Sequence, residues 1–465
     1  MGAKGIDLSP AAPPVNILHN GTVLTGGEIS EVFTDGAVAW SGDRILAVGL
    51  ESDLAELYPD AGRLDACGGM IMPGLINLHH HLYSALARGL APSSPATDFG
   101  QILDKLWWRL DRALTPETVR LSALLGIADS IRWGCTTLFD HHSSQSCIPG
   151  SLSTIAGVIA EAGLTALLCY EVSDRNGHHE AISGLVENLT FIDHQRNHAR
   201  IRGTLGLHAS FTLANDTLDE AARRRPDSCG CHIHVAEDGL DFQVSELSFG
   251  AAPLQRLEER GLLDDRALLV HGIHLTSAGR AQIARNSSVL IHCPESNANN
   301  GVGRLDIERA AAEGCTLGLG TDGMSSAMLR SLRAAFLALR GGRRDPTAGF
   351  AVLPAILRNN ALVARRFFDE PLLGEIAPEA PADLCVVDSP PPTPINADNA
   401  YAHVVYGAAE APVRHTIARG QVLLEDFRHT TLDISEISEA ARIEAPGLWE
   451  RFYAIGDSPV DWLPT

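Results

Sequence analysis

Lysine is nearly missing from this chain. Among 465 residues only Lys4 and Lys105 are lysines, and arginine supplies the rest of the basic charge. Neither falls in the apolar runs that read as strands, so a strand-built site would have no lysine to use. Basic residues are short as a whole: 36 Lys and Arg against 57 Asp and Glu leave a formal charge of −21 and a pI near 5.3. DNA, RNA and anionic membranes are excluded as partners on this count, since each needs a basic footprint. Long hydrophobic runs are missing too, and none approaches the roughly 20 residues of a membrane helix. The opening MGAKGIDLSPAAPP lacks a signal-peptide apolar stretch, and Ile6 stands where a myristoylation site wants Ser or Thr. Residues 1–14 are therefore expected to be a flexible leader on a cytoplasmic protein. C-x-x-C pairs are absent; nine scattered cysteines read as reduced, buried thiols.

What is present is ample core material, 45% hydrophobic residues, in a chain long enough for one large domain and a smaller one. VNILHNGTVLTGG and GAVAWSGDRILAVG near the start read as short strands with turn signals, and ADLCVVD and VRHTIARGQVLLEDF near the end have the same texture. These pieces, 15–72 and 371–430, are expected to pair into one small β-sandwich, followed by a C-terminal helical tail at 431–465. Between them, over 73–370, strand-like runs alternate with helical periodicity. The runs are GMIMPGLINLHHH, CTTLFDHH, TALLCYEVSD, IRGTLGLHA, CGCHIHVAE, ALLVHG, SSVLIHCPES and TLGLGTDG. TPETVRLSALLGIADSIRWG opens on a Thr N-cap and represents the helices between them. Eight such units predict an α/β fold, a (β/α)8 TIM-like barrel. A doubly wound open sheet would carry a phosphate-loop signature after an early strand, and none is found.

Barrel active sites gather at the C-terminal ends of strands, and this chain places histidine there repeatedly. Residues i and i+2 of a strand share a face, so His79 and His81 are expected to point together into the barrel mouth, with His80 turned outward. In CHIHVAE, His234 lies nearest the strand end and is taken as a third imidazole, with His232 a core histidine. Glu237 follows where the strand gives way to a loop and can overhang the site as a carboxylate that does not bind metal. Asp322 closes the eighth run. Three histidines and one aspartate suit Zn²⁺ with room for a water, and Fe²⁺ fits the same ligands. His271 ends the sixth run as a further ligand or as a residue that orients substrate.

With these residues in hand, the chain resembles the amidohydrolase superfamily, in its cytosine/guanine deaminase and chlorohydrolase branch. PGLINLHHH, HIHVAE, VHGIHL, GLGTDG and GEIAPEAPADLCVVD follow that family's motifs in order. KLWWRLDRAL, DHHSS, GSLSTI, DRNG and SNANN are similar to the SsnA-type aminohydrolases. The resemblance implies one divalent metal per subunit held by His79, His81, His234 and Asp322. It implies Glu237 as acid/base, with Asp322 and His271 completing the catalytic set, and His208 and His271 facing substrate. Binuclear relatives bridge their metals with a lysine on the fourth strand. Its lack here favours a mononuclear centre, leaving Glu171 and Cys169 as the nearest alternative bridges. Asn299 and Asn300 depart from the wider family's Lys-Leu, so guanine or cytosine does not transfer simply as substrate.

The expected reaction is hydrolytic deamination of an amino-substituted N-heterocycle of purine, pyrimidine, pterin or triazine type. The alternatives are ring-opening hydrolysis of a cyclic C–N bond and a catalytically silent metal-binding homologue. His142, Trp107, Arg175 and Asn297 are candidate substrate contacts; His142, with Asp140 and His141, stands equally as support behind a metal ligand. Packing competes with stacking for Trp107 and Trp108, and a loop salt bridge competes for Arg175. The expected partner is a small heterocycle, on a homo-oligomer of two or more subunits.

Overall fold

The computed structural model describes residues 13–28 and 30–456. The expected leader lies outside the described residues except for Pro13 and Pro14, as do residues 457–465 of the expected tail.

Eight parallel strands close into a barrel. In chain order they are Leu75–His80, Cys135–His142, Thr165–Tyr170, a broken fourth strand (Ile201–Gly203 and Leu205–Ala209), Cys231–Val235, Leu268–His271, Val289–His292 and Thr316–Leu319. Nearly every residue in them is buried, so they read as continuous apolar runs rather than as alternating patterns, as both-faces-covered parallel strands do. The hydrogen-bonded ladder is interrupted in the fourth strand at Thr204. The piece before Thr204 pairs with strand three and the piece after it with strand five. Isolated pairings Val172 with Leu207 and His80 with Asp322 then join the two arcs into a closed cylinder. The second of these seals the barrel at the ends of the first and last strands, where both supply candidate site residues.

The helix Pro116–Arg132 shows why the outer layer forms where it does. Thr115 caps it, accepting from the Thr118 amide at 3.2 Å while the Thr118 hydroxyl accepts from the Thr115 amide at 2.8 Å. Pro116 occupies the first turn, where a missing N–H costs nothing. Gly134, at φ +79°, then turns the chain into the second barrel strand.

The chain ends build one nine-stranded sheet in which Met70–Pro73 pairs antiparallel with Leu384–Val387. It curls over a shared interior of Trp40, Ile45, Ile71, Leu384 and Ile417, and the Trp40 indole N–H donates to Gly420 O at 3.1 Å. This is the terminal β-domain expected from the sequence, in the form of a single curled sheet. The last helix among the described residues, Ile434–Ala454, leaves that sheet and crosses to the barrel mouth. There Trp449 Nε1 donates to Leu86 O at 3.0 Å, Arg451 Nε to Ala113 O at 2.8 Å and Tyr453 Oη to Ala91 O at 3.0 Å. Leu448 and Phe452 are fully buried beneath it. No helix among the described residues is long and apolar enough to cross a membrane.

Candidate metal centre and active site

The strand ends are bent to serve the rim. Ala236, His271 and Asp322 have φ of +51°, +75° and +55°, a region that side chains rarely adopt. Such backbone persists where surrounding structure enforces it, and it clusters at functional sites. Each of the three lies at the end of a barrel strand and redirects the side chains that follow. Gly320, just before Asp322, has no room for a methyl: a Cβ there would lie 2.8 Å from His79 Cβ and 2.9 Å from His79 O. The close approach of strand eight to strand one therefore depends on glycine.

His79, His81 and His234 turn their rings into the barrel mouth with Nε2 leading. His81 Nδ1–H donates to His141 O at 2.6 Å and His234 Nδ1–H to His208 O at 2.8 Å. Carbonyl oxygens only accept, so these bonds fix the proton on Nδ1. His79 Nδ1 lies 2.9 Å from His232 Nε2. The two inward nitrogens of His81 and His234 are 3.3 Å apart, and Asp322 Oδ1 lies 3.0 Å from His81 Nε2 and 3.6 Å from His79 Nε2. His80 points outward as expected, its Nδ1 3.0 Å from the Thr321 hydroxyl.

Burial and the facing carboxylate together set the charges of this cluster. Burial holds the His79 and His234 imidazoles well below their ordinary pKa. Burial also pushes His81 down, but its hydrogen bond to Asp322, with the charges of Asp322 and Glu171, lifts it to about 9. Burial raises Asp322, yet His79 and His81 hold it well below the usual carboxylate range. Ligand atoms of His79, His81, His141 and His234 lie within 4.8 Å of one another, as do those of His79, His271 and Asp322. His79 Nε2 is buried without a hydrogen-bond partner among the described residues. Convergent imidazole nitrogens facing one carboxylate, with their outer nitrogens already engaged, fit a divalent metal of the zinc or iron type.

Glu237 and His271 stand beside this cluster. His271 Nε2 lies 3.3 Å from Glu237 Oε2 and 3.9 Å from Asp322 Oδ2. Asn300 Nδ2 donates to Glu237 Oε1 at 3.2 Å, and the Ser296 hydroxyl donates to Asp322 Oδ2 at 2.5 Å. Burial raises the Glu237 carboxyl above its ordinary range, against the pull of His271. The two carboxylates at the rim are thus driven in opposite directions, the arrangement that separates an acid from a base.

A cavity of about 370 Å³ opens over the cluster, a size suited to a small ligand. His81, Glu171, His234, Glu237, His271 and Asp322 face it, and so do His208, Trp107, Trp108 and Arg175. Two expected substrate contacts do not. His142 is fully buried off the cavity wall, its Nε2 2.9 Å from the Ser144 hydroxyl, because adjacent residues of a strand face opposite ways and His141 takes the interior. Asn297 is likewise buried, and its Oδ1 accepts from His271 Nδ1 at 2.8 Å, so it orients that ring from behind. Arg175 faces the cavity while ion-paired to Asp111.

The sequence places His141 only as support behind a metal ligand or as a substrate contact and Glu171 only as an alternative metal bridge, and it gives no sign of Asp111 on this wall. Strand alternation was the available signal for His141: only the middle residue of Asp140-His141-His142 can face inward when its neighbours face out. Glu171 Oε1 lies 3.2 Å from His141 Nδ1 and 3.5 Å from His81 Nδ1. Cys169 lies deeper, its thiol 3.6 Å from Asp140 O.

A closed parallel barrel with a histidine and carboxylate cluster at its C-terminal rim defines a metal-dependent barrel hydrolase. The chain belongs to the amidohydrolase family, whose profile matches residues 70–423. It is 30% identical over 450 residues to a 5-methylthioadenosine/S-adenosylhomocysteine deaminase of Pelotomaculum thermopropionicum, covering 94% of this chain and 99% of that one. In fold it is similar to an adenosine deaminase from Xanthomonas campestris with bound zinc, with a TM-score of 0.81 at 24% identity, covering 96% of this chain and 100% of the other. It is also similar to a zinc-complexed atrazine chlorohydrolase from Arthrobacter aurescens, with a TM-score of 0.78 at 21% identity, covering 92% and 100%.

Proposed function

We propose that this protein is a metal-dependent aminohydrolase that converts an amino-substituted N-heterocycle to its oxo product and ammonia. One observation carries the reading: Asp322 Oδ1 lies 3.0 Å from His81 Nε2 and 3.6 Å from His79 Nε2, His234 Nε2 lies 3.3 Å from His81 Nε2, and Glu237 lines the same cavity. The deaminase named among the relatives supports it.

His79, His81, His234 and Asp322 hold one divalent ion, zinc or iron. When bound, the ion lowers the pKa of a water from about 15.7 toward 7. Water oxygen adds to the ring carbon that bears the exocyclic amine. Asp322, kept ionised by its neighbours, takes the proton that water gives up. Glu237, whose carboxyl burial shifts toward its acid form, gives a proton to the ring nitrogen as aromaticity is lost. The proton held by Asp322 then passes to the amine, the C–N bond breaks and ammonia leaves, and the hydroxyl on the same carbon returns its proton to Glu237 as the carbonyl forms. His271, fixed by Asn297, steers the approach of the water. Trp107 and Trp108 supply flat apolar wall for the ring.

The test is ammonia release from a panel of aminated purines, pyrimidines, pterins and triazines, with the ultraviolet spectrum followed in parallel. Ammonia with an intact aromatic chromophore is the expected result. Loss of the chromophore without ammonia would replace deamination by ring opening. We also propose that the chain assembles as a homo-oligomer, a dimer or larger, to be measured by light scattering in solution.

A further inference from the structure

The cavity wall away from the metal ligands carries a second polar device. Asp111 and Arg175 both face the cavity, with side chains only 1% and 3% exposed. Their ion pair uses one atom of each, Asp111 Oδ2 and Arg175 Nη2. The Ser143 hydroxyl bridges the same two atoms, donating to Asp111 Oδ2 at 3.2 Å and accepting from Arg175 Nη2 at 3.0 Å. What is left over is unusual. Asp111 Oδ1 and Arg175 Nε and Nη1 are all buried without a hydrogen-bond partner among the described residues. A buried acceptor and a buried charged donor, side by side, are costly unless something meets both.

The pair is held rigidly. Asp174, the neighbour of Arg175, anchors its loop by donating to Thr212 O at 2.9 Å and accepting from the Ala214 amide at 2.7 Å and the Thr217 hydroxyl at 2.8 Å. The guanidinium carbon lies 5.5 Å from the Trp108 ring centroid. An apolar ring face and a fixed donor–acceptor pair therefore share one end of the cavity.

We propose that Asp111 and Arg175 read a lactam edge of the substrate. A ring carbonyl accepts from Arg175 while the adjacent ring N–H donates to Asp111 Oδ1. This rests on the deaminase reading and narrows it to aminated rings that contain a cyclic –NH–CO– unit. A ring of adenine type offers only ring-nitrogen acceptors on such an edge, setting a lone pair against Asp111 Oδ1. Sites built to hydrogen-bond a substrate group reject analogues that lack it.

The experiment compares kcat/KM for ammonia release within four pairs: guanine and 2-aminopurine, isocytosine and 2-aminopyrimidine, isoguanine and adenine, cytosine and 4-aminopyrimidine. The lactam member of at least one pair is expected to be favoured by about 10²-fold or more. Arg175→Gln and Asp111→Asn should each cut that ratio about 10-fold or more, with metal content unchanged. Arg175→Lys, which keeps a cation beside Asp111 but only a point donor, should cut it too, and serves if the other variants fail to fold. Equal turnover within every pair, or a preference that survives the variants, overturns the proposal. Ammonia from adenine, 2-aminopurine, 2-aminopyrimidine or 4-aminopyrimidine alone leaves deamination standing and removes the lactam reading. Ammonia from none of the eight rings removes the lactam reading, and deamination then stands or falls on the pterins and triazines of the wider panel.

Discussion

His79 and His232 face each other across 2.9 Å, Nδ1 to Nε2, in the interior of the barrel. For His79 to present a bare Nε2 to a metal, its proton must sit on Nδ1 and His232 must accept it. His232 is itself buried, and burial pushes it well below its ordinary pKa, which keeps it neutral and able to accept. The core histidine is thus the support of a candidate ligand. His232→Leu is expected to weaken metal affinity by about 10–100-fold, measured by competition with a chelator. Wild-type affinity in that variant would detach His232 from the site.

Loss of ligands should show first in metal content. His234→Ala and Asp322→Asn are each expected to leave the purified protein substoichiometric in metal and to lower turnover, read by elemental analysis beside an ammonia assay. A full metal complement in either would move the ion elsewhere in the cluster.

Glu237 should behave differently. Glu237→Gln preserves shape and the contact with Asn300, so metal is retained while kcat falls by roughly 10²–10⁴-fold. High residual activity with depleted metal would reverse the roles assigned to Glu237 and the ligands.

The raised pKa of Glu237 also predicts a pH dependence. The acid form is the working form, and it is lost as pH rises through the raised value. Therefore kcat/KM should fall on the alkaline side with a midpoint above the ordinary carboxyl value of about 4.3. Glu237→Asp should displace that midpoint. An alkaline limb identical in the aspartate variant would assign it to another group.

Asp241, which lines the same cavity without facing the imidazole cluster in any hydrogen bond, offers a stability test. Burial lifts its carboxyl to about 7, while its Oδ2 accepts from the Ala236 amide at 2.8 Å. A folded pKa above the unfolded value contributes stability that is full below about 4 and is lost as pH rises through about 7. Melting temperature should therefore decline across that window in the wild type. Asp241→Asn should flatten the decline, and an unchanged pH profile in the variant would show that Asp241 does not titrate as described.

Much of this was legible before any coordinates. The eight apolar runs mark the eight barrel strands because strands buried on both faces need little else, and the histidines stand out because turns seldom use them. Alternation placed His79, His81 and His234 inward and His80 outward. The break at Thr204 was not legible, since it arises from pairing with two different neighbours. Nor was the retreat of Asn297 behind His271, which depends on how the segment after strand seven folds back. Asp111 lies 64 residues from Arg175, and nothing in either segment names the other.

The last helix ties Leu86, Ala91 and Ala113 down through Trp449, Tyr453 and Arg451, and the segment between those carbonyls supplies Arg88, Phe99, Leu103 and Trp107 to the cavity. The roof is thus fastened by residues that are made after every strand of the barrel. A chain halted anywhere before Trp449 could complete its cylinder of strands and still lack a fixed lid, so binding selectivity should arrive later in synthesis than the barrel itself.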